Sequence, residues 1–268
     1  MTGTARPDAA TDDGRPSRLE RAVDRVPFLE KELFLLAQVI EPGMTCIDVG
    51  AAGGAHLLVM AKAVGPTGRV LGIEPRPRSL RAVGRLARLA GVADRTRLLP
   101  IALAEAEGEL PLRIPMVPTR AHLPGTTIDL DRTAAFSRLP HRELSVRTRR
   151  LDDIVAEEGL GRVDVVKIDV EGAELAALAG AHRTLERHRP LVLVEADDLH
   201  QARYEATAQD VLDAVTEHGY DVFRYRRGAL DALDGGVVGD EDDYVLVPSE
   251  RQPPLVVRQV EVPQDVAA

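Results

Sequence analysis

Two acidic residues close two short apolar runs early in the chain. Cys46-Ile47-Asp48-Val49 leads into the small-residue turn Gly50-Ala51-Ala52-Gly53-Gly54-Ala55-His56, and Arg69-Val70-Leu71-Gly72-Ile73 leads into Glu74-Pro75. A strand, a glycine turn and a helix make a nucleotide-cofactor site, because small residues admit a ligand close to the backbone and a helix start offers free N–H groups. Glu74 follows Gly54 by about 20 residues, where a carboxylate can accept hydrogen bonds from both hydroxyls of a ribose. That suits a nicotinamide dinucleotide and S-adenosylmethionine equally. The acid before the turn, more than the turn itself, discriminates between them. It fits Gly-x-Gly-x-x-Gly/Ala only in part, with Ala52 in place of the second glycine. A carboxylate at position 48 repels a pyrophosphate and attracts a sulfonium or an ammonium group, which favours S-adenosylmethionine. Asp48, Gly50, Ala51, Ala52, Gly54, His56, Glu74 and Pro75 are the expected cofactor contacts, joined by Asp169 from a later strand. Singly, Asp48 or Glu74 could be an ordinary strand-end or cap residue; the pair at this spacing carries the reading.

A second acidic group ends the run Val163-Asp164-Val165-Val166-Lys167-Ile168-Asp169, which continues Val170-Glu171-Gly172-Ala173-Glu174. Methyl transfer to a hydroxyl needs the two reactants held in line, an effect worth about 7–11 kcal/mol. It also needs a base within hydrogen-bond reach of the hydroxyl. Asp169 and Glu171, two residues apart in extended chain, would face the same way, and like charges would raise one pKa. They are the first candidates for catalysis. The plainer alternative has Asp169 ordering the loop through N–H groups and Glu171 capping the next helix. Glu195, His122 and His141 are candidate substrate contacts and, with His200, further candidates for the base, although a loop histidine is more simply surface. His56 is expected to cap or pack beside the cofactor. Asp169 with Glu195, Asp197 or Asp198 could supply oxygen ligands, but no metal is expected.

Several of these stretches resemble the FkbM-type S-adenosylmethionine-dependent methyltransferases. The resemblance rests on Glu41 to Ala51, Gly65-Pro66-Thr67-Gly68-Arg69-Val70, Ile73-Glu74-Pro75, Leu151-Asp152-Asp153 and Lys167 to Glu174, and runs from about Glu41 to about Val247. Ala52 stands where that family usually has Asn, which removes one side-chain contact. The resemblance implies a class I methyltransferase fold with leading helices over the cofactor cleft. It also implies S-adenosylmethionine as cofactor, a variable region near the substrate, and as acceptor a secondary metabolite or a sugar.

Bulk properties agree. The 268 residues suffice for one large α/β domain. The net charge of −9, a scarcity of aromatics and the absence of Trp argue for a small-molecule acceptor and against nucleic acid. One cysteine, Cys46, excludes an intrachain disulfide and fits a core position in a reducing compartment. No apolar run is long enough to span a bilayer, and residues 1–15 lack the apolar core of a signal peptide, so a cytoplasmic location and no membrane partner are expected.

The supporting elements follow from periodicity. Residues 1–15 read as a disordered tail, and 16–40 as amphipathic helices divided near Pro27. Strands and helices then alternate, with strands at 46–49, 69–73, 97–103, 163–169 and 191–195, and a last antiparallel pair at 220–226 and 244–247. Asp152 or Asp153 is placed to cap a short helix from Leu151. Residues 104–150, with five prolines between 111 and 140, read as an irregular substrate region that could form a lid or a homodimer contact. Residues 249–268 read as a loose tail. The expected architecture is a single domain over 16–248: an α/β, doubly wound, mostly parallel seven-stranded sheet with its last strand antiparallel. The expected function is O-methylation. An NAD-dependent oxidoreductase and a non-catalytic S-adenosylmethionine-binding protein are the alternatives.

Overall fold

The computed structural model describes residues 31–115, 141–226, 228–233 and 243–259. Its strands are β1 (Thr45–Val49), β2 (Arg69–Ile73), β3 (Thr96–Leu99), β4 (Ala102–Leu103), β5 (Gly108–Pro115), β6 (His141–Arg149), β7 (Val165–Ile168), β8 (Leu191–Glu195), β9 (Tyr220–Arg226), β10 (Ala229–Leu233), β11 (Asp243–Pro248) and β12 (Val257–Gln259). The helices are α1 (Lys31–Val39), α2 (Ala55–Ala63), α3 (Pro77–Leu89), α4 (Leu151–Glu157), α5 (Glu174–Ala179), α6 (His182–His188), α7 (Asp198–Gln201) and α8 (Ala208–Thr216).

The main sheet runs β12-β10-β9-β11-β8-β7-β1-β2-β3. The five strands from β3 to β8 are parallel, and β11 lies antiparallel between β8 and β9. These seven are the expected sheet with its reversed last strand. The count, however, is nine. Strand β9 buries Tyr220, Val222, Phe223, Arg224 and Tyr225, too apolar a set for an open edge, and β10 covers it. Part of the expected tail then returns as β12 beside β10. Arg258 on β12 holds Asp231 on β10 at 2.8 Å, an ion pair that pins the added strands in register.

Two more expectations give way to the backbone. The strand expected over 97–103 breaks at Pro100; β3 ends at Leu99, and β4 joins a separate sheet, β4-β6-β5. The described ends of the supposedly irregular region are thus a regular antiparallel pair, Gly108–Pro115 against His141–Arg149. Pro111 and Pro115 fit there because β5 is an edge strand, where a missing N–H breaks no ladder.

Parallel strands buried on both faces place the core on either side of the sheet. The strand period of two sends Ile47 and Val49 to one cluster and Cys46 to the other. Cys46 is fully buried, and burial pushes its thiol well above the ordinary range, as a packing residue requires. Helices α1 and α2 pack on the Cys46 face through Leu35, Leu36, Leu57 and Met60. On the other face Asp152 does not cap its own helix. It reaches over to α6 and accepts from the N–H groups of Arg183 (3.1 Å) and Thr184 (2.8 Å) and from the Thr184 hydroxyl (2.8 Å).

That contact is testable. Asp152→Ala strands two N–H donors and a hydroxyl where the carboxylate was buried, so stability should fall by about 2–3 kcal/mol. Urea denaturation should show a lower midpoint with an unchanged slope.

Candidate functional site

The carboxyl ends of β1, β2, β7 and β8 meet at one edge of the sheet, where open α/β folds bind ligands. Asp48, next to last on β1, has no solvent exposure, and its carboxylate finds no well-formed hydrogen bond among the described residues, the Leu57 N–H of α2 being the backbone donor that faces it. Its nearest cation is the Lys167 ammonium, 4.0 Å away. Lys167 sits opposite Asp48 in the β1–β7 register and is itself buried, with its Nζ 2.7 Å from Asp169 Oδ2. Burial pushes the Asp48 carboxyl up to about 6 despite the Lys167 charge. At 1.36 kcal/mol per unit, ionising it costs about 3 kcal/mol more here than in water. A buried acid short of partners at the carboxyl edge of the sheet is a seat for a cationic group.

The turn is shaped around the same point. Gly50 has φ +87°, and a Cβ there would stand 1.8 Å from the Asp169 carbonyl oxygen. The Gly50 and Ala51 N–H groups both donate to the Ile73 carbonyl, at 2.9 and 3.0 Å, tying the turn to the tip of β2. Beyond that tip Glu74 is almost fully buried. It accepts from the Ala52 N–H at 3.0 Å and from the Arg76 N–H and guanidinium at 2.8 Å. Gly54, also in the left-handed region at +85°, leads into α2. His56 follows in its first turn; burial pulls its imidazole down to about 4, so it is neutral at physiological pH. Pro75 is half-buried between Glu74 and the start of α3. The structure thus brings all the expected cofactor contacts together. A poorly satisfied buried carboxylate and a glycine no other residue can replace fit S-adenosylmethionine, and Glu74 stands where a ribose diol would take the place of its Arg76 contacts.

At the other end of the cleft the expectations need correction. Asp169 and Glu171 do not form a like-charged pair in extended chain. Strand β7 ends at Ile168, and Glu171 has a left-handed φ of +59°. Burial alone would raise the Asp169 carboxyl, but the adjacent Lys167 ammonium overrides it and holds it below the usual range. The N–H groups of the loop go to another acid. Buried Glu174 accepts from those of Val170 (2.8 Å) and Gly172 (3.2 Å) and from the Gln201 amide. The raised carboxyl belongs to Glu195 at the end of β8. Burial, with the Asp169 charge adding to it, pushes Glu195 up to about 7. His200 on α7 faces three acids: Glu171 at 3.3 Å, Glu195 at 3.7 Å and Asp197 at 3.9 Å. Its own pKa is raised, chiefly by Glu195. Gly172 lets the loop press on this histidine, since a Cβ there would meet the His200 carbonyl oxygen at 2.7 Å.

His141 opens β6 opposite Pro115, in the small sheet. His122 lies outside the described residues. Lys167, Glu174 and Asp243 went unassigned from sequence. The first was legible as the one charge inside an apolar central strand. Asp243, opposite Glu195 in the β8–β11 register, is pushed well up by burial and by Glu32 of α1, a contact no local pattern announces. No group of three or more acidic, histidine or cysteine side chains among the described residues could hold a metal ion.

The methyltransferase FkbM domain matches residues 48–222, from the buried acid of β1 into β9. This chain belongs to that family. S-adenosylmethionine is accordingly its cofactor, which removes the dinucleotide alternative. Among curated relatives, the 2-O-methyltransferase NoeI of Sinorhizobium fredii is 30% identical over 161 residues, 56% of this chain and 62% of that protein. The AMB antimetabolite synthetase AmbE of Pseudomonas aeruginosa is 30% identical over 224 residues, 73% of this chain and 10% of that protein. The chain thus spans less than two-thirds of these relatives. The solved FkbM methyltransferase of Methylobacillus flagellatus is 19% identical, with a TM-score of 0.45 over 81% of this chain and 50% of that one.

The buried acid makes a prediction for the ligand-free FkbM domain. Asp48 has its folded-state pKa raised, so its stabilising contribution is complete below about pH 4 and is lost as pH rises through about 6. Asp48→Asn should therefore make the ligand-free protein more stable at pH 7.5 by about 1–2 kcal/mol. The same change should weaken S-adenosylhomocysteine binding. Thermal denaturation from pH 5 to 8, with and without that ligand, checks both signs.

Proposed function

We propose that the protein is an O-methyltransferase acting on a hydroxyl of a small molecule, a secondary metabolite or a sugar moiety. The observation that carries this reading is the pairing of Glu195 and His200 beside Asp169 at the acceptor end of the cleft. A hydroxyl must shed its proton as its oxygen is methylated, and a base serves best when its pKa lies near the working pH. Glu195 meets that condition. Asp169, held ionised by Lys167, is the weaker base and the better anchor. NoeI, a 2-O-methyltransferase by name, supports the same reading.

When bound, S-adenosylmethionine supplies an electrophilic methyl group. The chain's own residues do the rest. Asp48, only loosely neutralised by Lys167 at 4.0 Å, offers negative charge at the tip of β1, and Glu74, held by Ala52 and Arg76, is the carboxylate placed toward a diol. Lys167 fixes the Asp169 carboxylate, whose place at the junction of β1 and β7 suits it to orient the acceptor. Glu195 takes the hydroxyl proton, and His200 between Glu195 and Glu171 shares the charge that results. A small-molecule acceptor accords with the narrow cluster of acids and with the family; no nucleic acid or membrane partner is invoked.

Calorimetric titration with S-adenosylhomocysteine, followed by transfer of labelled methyl groups to a panel of polyols, sugars and hydroxylated metabolites, tests the function. Turnover should rise with pH through about 7 as Glu195 loses its proton. Glu195→Gln should abolish that rise and lower kcat by roughly 10²–10⁴-fold with cofactor affinity unchanged. Full activity in that variant would refute the assignment of the base. Cofactor binding with no transfer to any hydroxyl, while amines accept the methyl group, would overturn O-methylation itself.

A further inference from the structure

Helix α3 carries a feature that the cleft does not use. Its sequence, Pro-Arg-Ser-Leu-Arg-Ala-Val-Gly-Arg-Leu-Ala-Arg-Leu, contains no acid and four arginines, at 78, 81, 85 and 88. Steps of three, four and three residues put them in one row along the helix, about 15 Å from end to end. All four are exposed, and none has an ion-pair partner among the described residues. The neighbouring arginines are engaged: Arg76 by Glu74, Arg95 by Asp94 and Arg97 by Glu158. Leu89 lies on the same face and is 85% exposed. Buried Val83 and Ala87 mark the opposite side.

The arrangement is unfavourable for an isolated helix. Like charges three and four residues apart repel, and Arg78 stands in the first turn, where the helix dipole disfavours a cation. The chain has a net charge of −9, so acids to relieve the row were at hand, yet none stands on this helix. A local rule broken with no gain inside the fold points to a gain outside it.

We propose that the exposed face of α3 is a docking surface for a partner protein that presents an acidic helix, with carboxylates matching Arg78, Arg81, Arg85 and Arg88 and an apolar residue meeting Leu89. The shape of the charge selects this occupant. The row is single and narrow, and the ground beside it carries no further free arginine among the described residues: Asp94 neutralises Arg95 and Glu158 neutralises Arg97. A planar anionic membrane or a polyphosphate duplex would extend past the row onto those neutral pairs and meet the net negative charge of the chain. A narrow acidic helix would meet only the arginines. Guanidinium groups suit it because each can hold a carboxylate through two parallel hydrogen bonds. The helix begins two residues after Glu74–Pro75, so a partner lying along it reaches the rim of the cofactor cleft. The proposal does not depend on which atom is methylated.

The test uses the full chain and two synthetic helical peptides of about 20 residues. One places glutamates at steps of three, four and three with a leucine on the same face. The other has the same composition with the glutamates distributed around the helix. The matched peptide should bind roughly tenfold tighter to the wild type than to an R81E/R85E variant, and roughly tenfold tighter than the scrambled peptide. Rising salt should weaken its binding, and Leu89→Ala should reduce it further. S-adenosylhomocysteine affinity should be unchanged in R81E/R85E, which separates failure here from failure of the methyltransferase reading. Equal binding of both peptides would overturn the proposal. So would indifference to R81E/R85E, or binding of phosphatidylglycerol vesicles or duplex DNA with the matched peptide left unbound.

Discussion

One buried ammonium group organises the active edge of this sheet. Lys167 enters from the middle of a strand that is otherwise apolar, and it stands between Asp48 of β1 and Asp169 just past the end of β7. Burying a lysine alone is expensive, and so is burying either acid alone. Together they are tolerable, but not equally. Asp169 has the direct contact at 2.7 Å and stays ionised; Asp48, at 4.0 Å with only the Leu57 N–H facing it, does not share fully in the neutralisation. One cation serving two anions leaves a net negative charge at the bottom of the cleft. That residue of charge gives the site its preference for a positively charged group, and it is destabilising until one arrives. The preference for a sulfonium over a pyrophosphate thus follows from an incomplete ion pair rather than from the glycine turn.

The rest of the site depends on backbone closeness that the same strands impose. Gly50 passes so near the Asp169 carbonyl that no Cβ fits, and this locks the loops after β1 and β7 together. The loop after β7 is then held from behind by Glu174, whose carboxylate gathers two backbone N–H groups and the Gln201 amide. Gln201 belongs to the same short helix as His200. Glu174 therefore couples the loop bearing Glu171 to the helix bearing the histidine that Glu171 faces. Cofactor end and acceptor end are joined by main-chain contacts a few residues long, which is how a site made of loops keeps a fixed geometry.

The parts of this that were legible in the sequence are those where local pattern and final contact coincide. Asp48 and Glu74 close strands whose apolar runs announce them, and each occupies the position its spacing implied. The glycine turn, the parallel order of β1, β2, β7 and β8 and the reversed β11 follow from the same alternation. What escaped depends on partners distant in sequence. Asp152 looked like a cap for its own helix, yet its partners lie some thirty residues on, at Arg183 and Thr184. Asp169 and Glu171 looked like a coupled pair because a two-residue step in a strand implies a shared face; the left-handed φ at Glu171 removed that premise. Strand β12 was hidden because three residues near the end of a chain have no periodicity to detect, and only the Arg258–Asp231 pair shows what they hold on to.

The acids at the acceptor end illustrate why residue type alone does not give residue role. Asp169, Glu171, Glu195 and Asp197 lie within a short reach of one another, and by composition any could be a base. Environment separates them. Asp169 has a lysine and is driven down; Glu195 has burial and an anionic neighbour and is driven up; Glu171 stays largely in solvent, its side chain 59% exposed. In the proposed reaction, two carboxyl groups with pKa values pushed apart divide the work of holding an acceptor and receiving its proton. His200, set among three acids, has its pKa raised by them, chiefly by Glu195. Lys167 and His200 are thus placed alike along one edge of the sheet: a single basic side chain set among several acids.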